Sequence, residues 1–293
     1  MVVRMRPYPE FDHIAPTYDE TRRPPSEDEL VALAELLHGC RTVLDAGVGT
    51  GRLALPLRAR QFDVIGIDLS RGMMQRARTK GLERLVQGDV LRMPIRDHGV
   101  DAVVMAHVLQ LLPDPRGALR ELGRVSRRVA ILLLPEWSER SPSGPWAGLR
   151  ERYRELASEM GYPLAPRAPR YWHSLDEISA IARPREVRMA AGPSGPLTLE
   201  EWFARWGTRM AGRGLLPPEV HAKIVERIRA ETPIDAARLG RSRVERFVAW
   251  DPAVLRAIPA VPPAPPAPPG PSPTEGATDP EEAGRRKVPP HGR

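Results

Sequence analysis

Short apolar runs recur through the first half of the chain, each closing on a polar or acidic residue and followed by a helix-compatible stretch. They lie at Val43–Ala46, Asp63–Ser70, Arg84–Val90, Val100–His107 and Val129–Leu134. Runs of this length between turn signals read as buried strands, and strands alternating with helices predict a parallel sheet. Ahead of them, Ser26 is placed to cap an amphipathic helix through Leu37, with Glu27, Asp28 and Glu29 in its first turn, where carboxylates suit the helix dipole. Beyond Leu134 the pattern loosens. Pro135–Tyr171 is rich in Pro, Gly, Trp and Arg, with one helix predicted from Pro145 to Met160. Ser174 and Glu177 have capping-box spacing, Arg185–Ala190 is a candidate sixth strand, and helices are predicted over Thr198–Ala211 and Pro218–Glu231. Arg243–Trp250 alternates polar and apolar residues at period two, as a half-buried seventh strand does. The helices of 198–238 then form an insertion within one domain; a separate C-terminal domain is the alternative. From Pro259 onward the sequence is dominated by Pro and Ala, then by Gly, Ser, Thr and charges, a composition that cannot bury a core.

The first strand runs into Asp45-Ala46-Gly47-Val48-Gly49-Thr50-Gly51-Arg52, a strand, a tight turn and a helix start. Glycine tolerates positive φ and lets a ligand lie against bare backbone, while a helix N-terminus offers unpaired N–H groups. The first βα turn of an open α/β sheet is where nucleotide-like cofactors sit. Asp68, at the tip of the second strand seventeen positions after Gly51, is placed to accept both hydroxyls of an adenosine ribose. Nicotinamide and flavin binders carry G-x-G-x-x-G, because a pyrophosphate rests on the helix end. Here the pattern is acidic-x-G-x-G-x-G, and Asp45 would repel a pyrophosphate but can hold an ammonium. A ligand with an amino-acid cation on one side and an adenosine on the other is implied. S-adenosylmethionine (SAM) meets both requirements.

With the loop, three further stretches carry a resemblance: Ile65-Gly66-Ile67-Asp68-Leu69-Ser70 with Met73-Met74, Gly88–Ile95, and Asp101–Leu109. In these the chain resembles the class I SAM-dependent methyltransferases, in the branch that includes quinone-biosynthesis and other small-molecule enzymes. The resemblance covers roughly residues 8 to 135. It implies a Rossmann-like α/β fold, a seven-stranded, mostly parallel sheet with helices on both faces, an antiparallel last strand and a helical insertion before it. Residues 1–257 are then one methyltransferase domain, with 8–135 as cofactor-binding core, 136–172 and 198–238 as substrate-side insertions, and 258–293 as a disordered Pro-rich tail. Gly47, Gly49 and Gly51 are expected along the methionine part of SAM, Asp45 near its ammonium, and Asp68 on the ribose. Leu69 is expected against the adenine, Asp89 on its amino group and Val90 nearby. Acidic residues at strand ends also serve simply as helix caps, and that reading stands beside each assignment. Tyr18 either covers the SAM pocket as part of a lid or packs the leading segment onto the core. Ala106 and His107 fall at the rim where the methyl group should emerge. His107 either deprotonates an acceptor hydroxyl or lines the cleft as a polar residue.

Composition narrows the partners. The +7 charge invites a nucleic-acid reading, but nearly all basic residues are arginines scattered beside glutamates, as in Arg150–Glu155. The fourth motif also lacks the Asn/Asp-Pro-Pro-Tyr/Phe sequence of enzymes that methylate exocyclic amines of bases. Nucleic acid is therefore not the expected partner; a small-molecule acceptor is. The single cysteine, Cys40, excludes an internal disulfide and is expected to be a small buried side chain. His13, His107, His173 and His221 show no ligand spacing, and no metal is expected. No apolar run is long enough to span a membrane, and the opening residues lack the apolar run of an export signal, so a cytoplasmic location is expected. Trp137, Trp146, Trp172, Trp202 and Trp206 concentrate in the insertions, where aromatic walls suit a flat or apolar acceptor. Trp202 and Trp206, four apart on one helical face, fit packing onto the sheet better than a substrate cage. Competing readings are a SAM-binding module without catalysis, an RNA or protein methyltransferase, and a dehydrogenase.

Overall fold

A computed structural model of the chain describes residues 9–22, 24–135, 145–164, 173–191, 199–211, 216–231 and 244–260. Its centre is a seven-stranded sheet in the order β3-β2-β1-β4-β5-β7-β6. The strands are β1 (Thr42–Ala46), β2 (Asp63–Asp68), β3 (Leu85–Gln87), β4 (Val100–Ala106), β5 (Ser126–Pro135), β6 (Glu186–Ala191) and β7 (Val244–Trp250). β7 alone runs antiparallel to its neighbours, pairing with β5 on one side and β6 on the other. The sheet buries both faces because successive residues of each central strand, which point to opposite faces, are apolar. Leu44, Ala46, Val103, Met105, Leu132 and Trp250 pack on one face; Val43, Ala102, Val104, Ile131, Phe247 and Ala249 pack on the other.

The first face is covered by α5 (Pro115–Val125), α7 (Leu175–Ile181) and α10 (Pro252–Arg256); the second by α2 (Glu27–Leu36), α3 (Ala54–Ala59) and α4 (Arg71–Thr79). Local chemistry starts several of these helices. Ser26 caps α2 by accepting the Glu29 N–H at 3.1 Å, while the Glu29 carboxylate accepts the Ser26 N–H at 2.8 Å, a complete capping box. Ser174 and Glu177 do the same for α7. α5 pairs an Asp114 cap with proline at its first position. Cys40 packs half-buried against the second face, and burial pushes its thiol pKa up.

Two strands differ in length from expectation. β3 pairs over Leu85–Gln87 only, because the chain turns away at Gly88, where a side chain would meet Pro94 and Ile67 within 2.9 Å. β5 starts earlier, at Ser126, directly from the end of α5: the Ser126 hydroxyl donates to Leu122 O at 2.7 Å. Arg127 and Arg128 hid this start, since both are exposed strand residues.

The insertions contribute α6 (Pro145–Glu159), α8 (Leu199–Ala211) and α9 (Pro218–Glu231). These share their own apolar cluster, with Tyr153, Leu156, Phe203, Ile224, Val225 and Ile228 buried. Trp206 joins it, edge-on to Tyr153 at 5.7 Å between ring centres, so it packs as a helix residue but within the insertions' own cluster, not onto the sheet as expected. Trp137 and Trp172, and the side chains of Trp146 and Trp202, lie outside the described residues. The last buried side chain is Ile258, which packs on the first face, one residue inside the segment read as tail. Residues 261–293 of that tail lie outside the described residues. No helix among the described residues is long and apolar enough to cross a membrane.

The two strands that flank the functional crevice are pinned together at their starts. The Asp101 carboxylate on β4 accepts the N–H groups of Arg41 (3.0 Å) and Thr42 (2.9 Å) at the foot of β1. Partial burial works against the charge, but these N–H groups, the Thr42 hydroxyl and Arg127 outweigh it and hold the pKa at about 2. A folded-state pKa below the unfolded value contributes stability above pH 4 that is lost as pH falls toward 2. Urea midpoints of wild type and Asp101→Asn should therefore differ at neutral pH and draw together as pH falls through about 2. A gap independent of pH would show that the carboxylate charge is not what pins the strands.

Candidate active site

Sheet order reverses between β1 and β4: the chain leaves β1 toward β2 on one side, and β4 lies on the other. The carboxyl ends of these strands open a crevice, the usual ligand position in such sheets. The loop after β1 is held to the tip of β2, since Gly47 N and Val48 N both donate to Ile67 O at 2.8 and 2.9 Å. Gly47, Gly49 and Gly51 all have positive φ (87°, 55° and 81°). They do different work. A Cβ at Gly47 would sit 2.2 Å from Val108 Cγ2, so this glycine lets the loop pack on the turn after β4. A Cβ at Gly49 would meet nothing within 4 Å, so the backbone there stands against open space.

Asp68 ends β2 beside that opening. One carboxylate oxygen accepts the Gly49 N–H at 2.8 Å and the other accepts the Ser70 N–H at 2.8 Å. Burial raises its pKa above the usual carboxylate value, and the backbone N–H groups counter this in part. Together the two oxygens accept the N–H groups of Gly49, Ser70 and Leu69, which still leaves lone-pair capacity for a hydroxyl donor. Asp45 is a different case. Its side chain is 2 % exposed and accepts the Ala54 N–H at the first residue of α3. Burial first, and the Asp68 charge second, push its pKa to about 7. Asp45 thus caps a helix beneath the loop and reaches the crevice through its field, not through an open carboxylate.

The remaining expected residues are distributed along the same edge. Leu69 is half-buried, with its carbonyl accepting from Gln87 Nε2 at 3.1 Å. Asp89 folds into a local turn by accepting the Leu91 N–H at 2.9 Å, and Val90 is buried in the first-face core. Ala106 packs at the end of β4. His107 follows it with φ 58°, and its Nε2 stands 3.7 Å from Glu245 Oε1. Tyr18 packs with Ile14, Ala15 and Met73, and Arg22 stacks over its ring at 4.8 Å. That geometry is the packing alternative for Tyr18.

Several site residues carried no recognised sequence signal. Asp19 accepts the Thr50 hydroxyl at 2.6 Å and pairs with Lys80 at 2.6 Å, while Lys80 also donates to Thr50 O at 2.9 Å. Asp12 accepts from the Ser70 hydroxyl and the Gly72 N–H, both at 2.7 Å. The leading segment is thereby tied to the glycine loop and to the start of α4. Glu245 was read as part of an alternating strand; as the start of β7 it is almost wholly buried at the crevice edge. An acidic residue two and four positions before Phe247 and Ala249, on their face, was the available clue.

Residues 44–134 match the family described as a methyltransferase domain. A phosphatidylethanolamine N-methyltransferase from Cereibacter sphaeroides is 32% identical over 162 residues, which span 53% of this chain and 74% of the relative. A ubiquinone/menaquinone biosynthesis C-methyltransferase from Syntrophotalea carbinolica is 35% identical over 188 residues, spanning 59% and 78%. A demethylmenaquinone methyltransferase from Thermus thermophilus is 36% identical over 203 residues, spanning 63% and 90%. The chain belongs to the class I SAM-dependent methyltransferases.

SAM is accordingly the methyl donor of this methyltransferase, and the donor set suits it. The crevice presents bare glycine backbone, a carboxylate with spare lone pairs and a buried acid whose charge is destabilised until a cation arrives. The two glycines separate fold from binding. Gly47→Ala should disrupt the loop and lower stability by more than about 2 kcal/mol, as overpacking adds to left-handed strain. Gly49→Ala should cost about 1 kcal/mol of stability yet abolish SAM binding by calorimetry if the cofactor lies against the loop there, since the added methyl group meets no protein atom within 4 Å. Full SAM affinity in folded Gly49→Ala would put the cofactor elsewhere.

Proposed function

We propose that this methyltransferase moves the methyl group of SAM to a small, largely apolar organic acceptor held between the crevice and the helices of the insertions. When bound, SAM supplies an electrophilic methyl group on a sulfonium; the protein supplies alignment and exclusion of water. Gly47, Gly49 and Gly51 carry the methionine portion, and Asp68 accepts the ribose hydroxyls. Leu69 and Asp89, with Val90 behind them, bound the adenine end. Asp45 favours the ammonium from under the loop, and Tyr18, packed on the core, holds the leading segment beside the pocket. Ala106 and His107 form the rim on the acceptor side. The observation that carries this reading is the Asp68 carboxylate bound to the N–H of Gly49, the glycine that faces open space.

The relatives' names, with phosphatidylethanolamine and demethylmenaquinone among them, favour an acceptor with a substantial apolar part. Methylation at O, N or C is compatible with them. In this reading residues 1–257 act as one domain with 136–172 and 198–238 on the acceptor side, the Pro-rich tail takes no part in catalysis, and the reaction takes place in the cytoplasm.

Calorimetry with SAM and its demethylated product, followed by labelled-methyl transfer to cell extract, tests the proposal. Label is expected in the organic-extractable small-molecule fraction. Label removed by nuclease or protease, or tight binding with no transfer, would overturn it.

Two features of binding follow. Asp68→Ala should weaken SAM by about 1–3 kcal/mol, the scale of lost hydrogen bonds to a charged group. Affinity should also depend on pH through Asp45. With a pKa of about 7 its carboxyl is neutral below that pH and anionic above, and a bound cation favours the anion. SAM affinity is therefore expected to rise with pH up to about 7, by at most about tenfold per unit, and to level off above it. The same titration on Asp45→Asn should be flat; a retained slope would assign the proton to another group.

A further inference from the structure

Because β7 runs against the other strands, its start lies at the edge where they end. Glu245 sits there, 1 % exposed, in register with Pro135 of β5 and Ala190 of β6. Its carboxylate reaches past β5 to His107 at the end of β4, 3.7 Å from Nε2. His107 itself has φ 58°, a left-handed turn conformation it shares with Gln61 and His98. A carboxylate buried this deeply requires a cation or a proton donor beside it.

We infer that Glu245 is the positioning residue that makes His107 a general base, and that the acceptor is one that must surrender an O–H or an acidic C–H proton. The inference rests on the SAM reading above and names its acceptor class. With the carboxylate facing Nε2, the neutral imidazole carries its proton on that nitrogen and Nδ1 is the basic atom. A separation of 3.7 Å fits an ion pair and exceeds a hydrogen bond; such contacts tighten as ligands assemble the site. In the step, the acceptor's proton passes to Nδ1 while its oxygen or carbon bonds to the methyl carbon. The carbon–sulfur bond breaks, its electron pair returns to sulfur, and the imidazolium is left facing the Glu245 carboxylate. A thioether or a tertiary amine has no proton to give and gains nothing from this pair. The other ionisable groups on the elements packed at this edge, among the described residues, include Asp45 on β1, Asp68 on β2, Arg246 on β7, Glu186 and Arg188 on β6, and the buried Glu29 on α2, which packs on β6 and β7; β5 brings Leu132, Leu133, Leu134 and Pro135.

Two-bond 1H–15N spectra of the full chain, labelled at histidine nitrogens, read the pair directly. The His107 signal is identified by its loss in His107→Asn. Neutral His107 should be protonated at Nε2, and its titration midpoint should fall by about one pH unit or more in Glu245→Gln, with recovery in Glu245→Asp. A proton on Nδ1, or one midpoint shared by wild type and Glu245→Gln, overturns the inference. The wild-type tautomer decides the matter alone should Glu245→Gln fail to fold. Glu245→Gln should bind SAM within about threefold of wild type yet transfer label to the same cell extract at least about tenfold more slowly. Label found on sulfur, or on a nitrogen that becomes quaternary, overturns the acceptor class. Wild type that does not bind SAM sinks the cofactor reading instead, and leaves the imidazole measurement standing as a separate result.

Discussion

Everything at the crevice is organised by one hydrogen bond, from the Gly49 N–H to the Asp68 carboxylate. It joins the loop after β1 to the tip of β2, and its position follows from two unrelated demands. A parallel sheet leaves the loops at the carboxyl ends of its strands without ladder partners, so their N–H groups need acceptors. A carboxylate at a strand end needs donors if it is to stay ionised while largely buried. The glycine supplies a donor without a side chain that would fill the space in front of it. The same contact that satisfies the empty loop therefore holds it in the shape a ligand needs.

Around that bond the molecule concentrates buried acids. Asp45 lies under the loop, Asp68 beside it, and Glu245 at the far edge of β4 and β5, each largely or wholly removed from water. Burial of this kind costs stability unless cations or N–H groups compensate. The compensation is uneven. Asp101, at the opposite end of β1 and β4, is so well supplied that its pKa is about 2, whereas Asp45 is pushed to about 7. One end of the same strand pair is built to be stable, and the other to respond when a positive charge enters. This contrast is a physical reason to place the chemistry at the carboxyl edge, independent of any family likeness.

Legibility in the sequence followed the range of the interactions involved. The succession of strands along the chain, the capping boxes at Ser26 and Ser174 and the helices over 199–211 and 218–231 were readable, because apolar period and local caps determine them; the antiparallel sense of the last strand came from the family resemblance instead. Strand ends were less readable. Gly88 stops β3 through contacts with Pro94 and Ile67, and Arg127 and Arg128 mask a strand start that only pairing with β4 reveals. Within the site, Asp68 and the glycines stood out because their spacing is local to one βα unit. Asp45 was read for its charge alone, while its backbone partner on α3 depends on how the loop closes. Glu245 was invisible as a site residue: its meeting with His107 joins residues far apart in sequence and exists only because β7 is inserted antiparallel beside β5.

The leading segment bears on how such a site admits a ligand. Asp12 and Asp19 fasten it to groups that the cofactor loop itself uses: Thr50 lies between two loop glycines, and Ser70 caps α4 just after the ribose-binding position. Lys80 closes the set by binding both Asp19 and the Thr50 carbonyl. Partial burial opposes the Asp19 charge, but Lys80 and Thr50 hold its carboxyl below the usual value, so the tie persists at neutral pH. α8 of the insertions touches the same turn at Asp19–Thr21. The leading segment and α8 are therefore mechanically continuous. Under the proposed function, with the segment over the donor side and α8 on the acceptor side, a shift of the segment on SAM binding disturbs that contact and couples the filling of one half of the site to the shape of the other. Polar anchors suit that task better than an apolar seal: each bond given up in the open state is replaced by water, so the segment can part from the loop without exposing a large apolar surface.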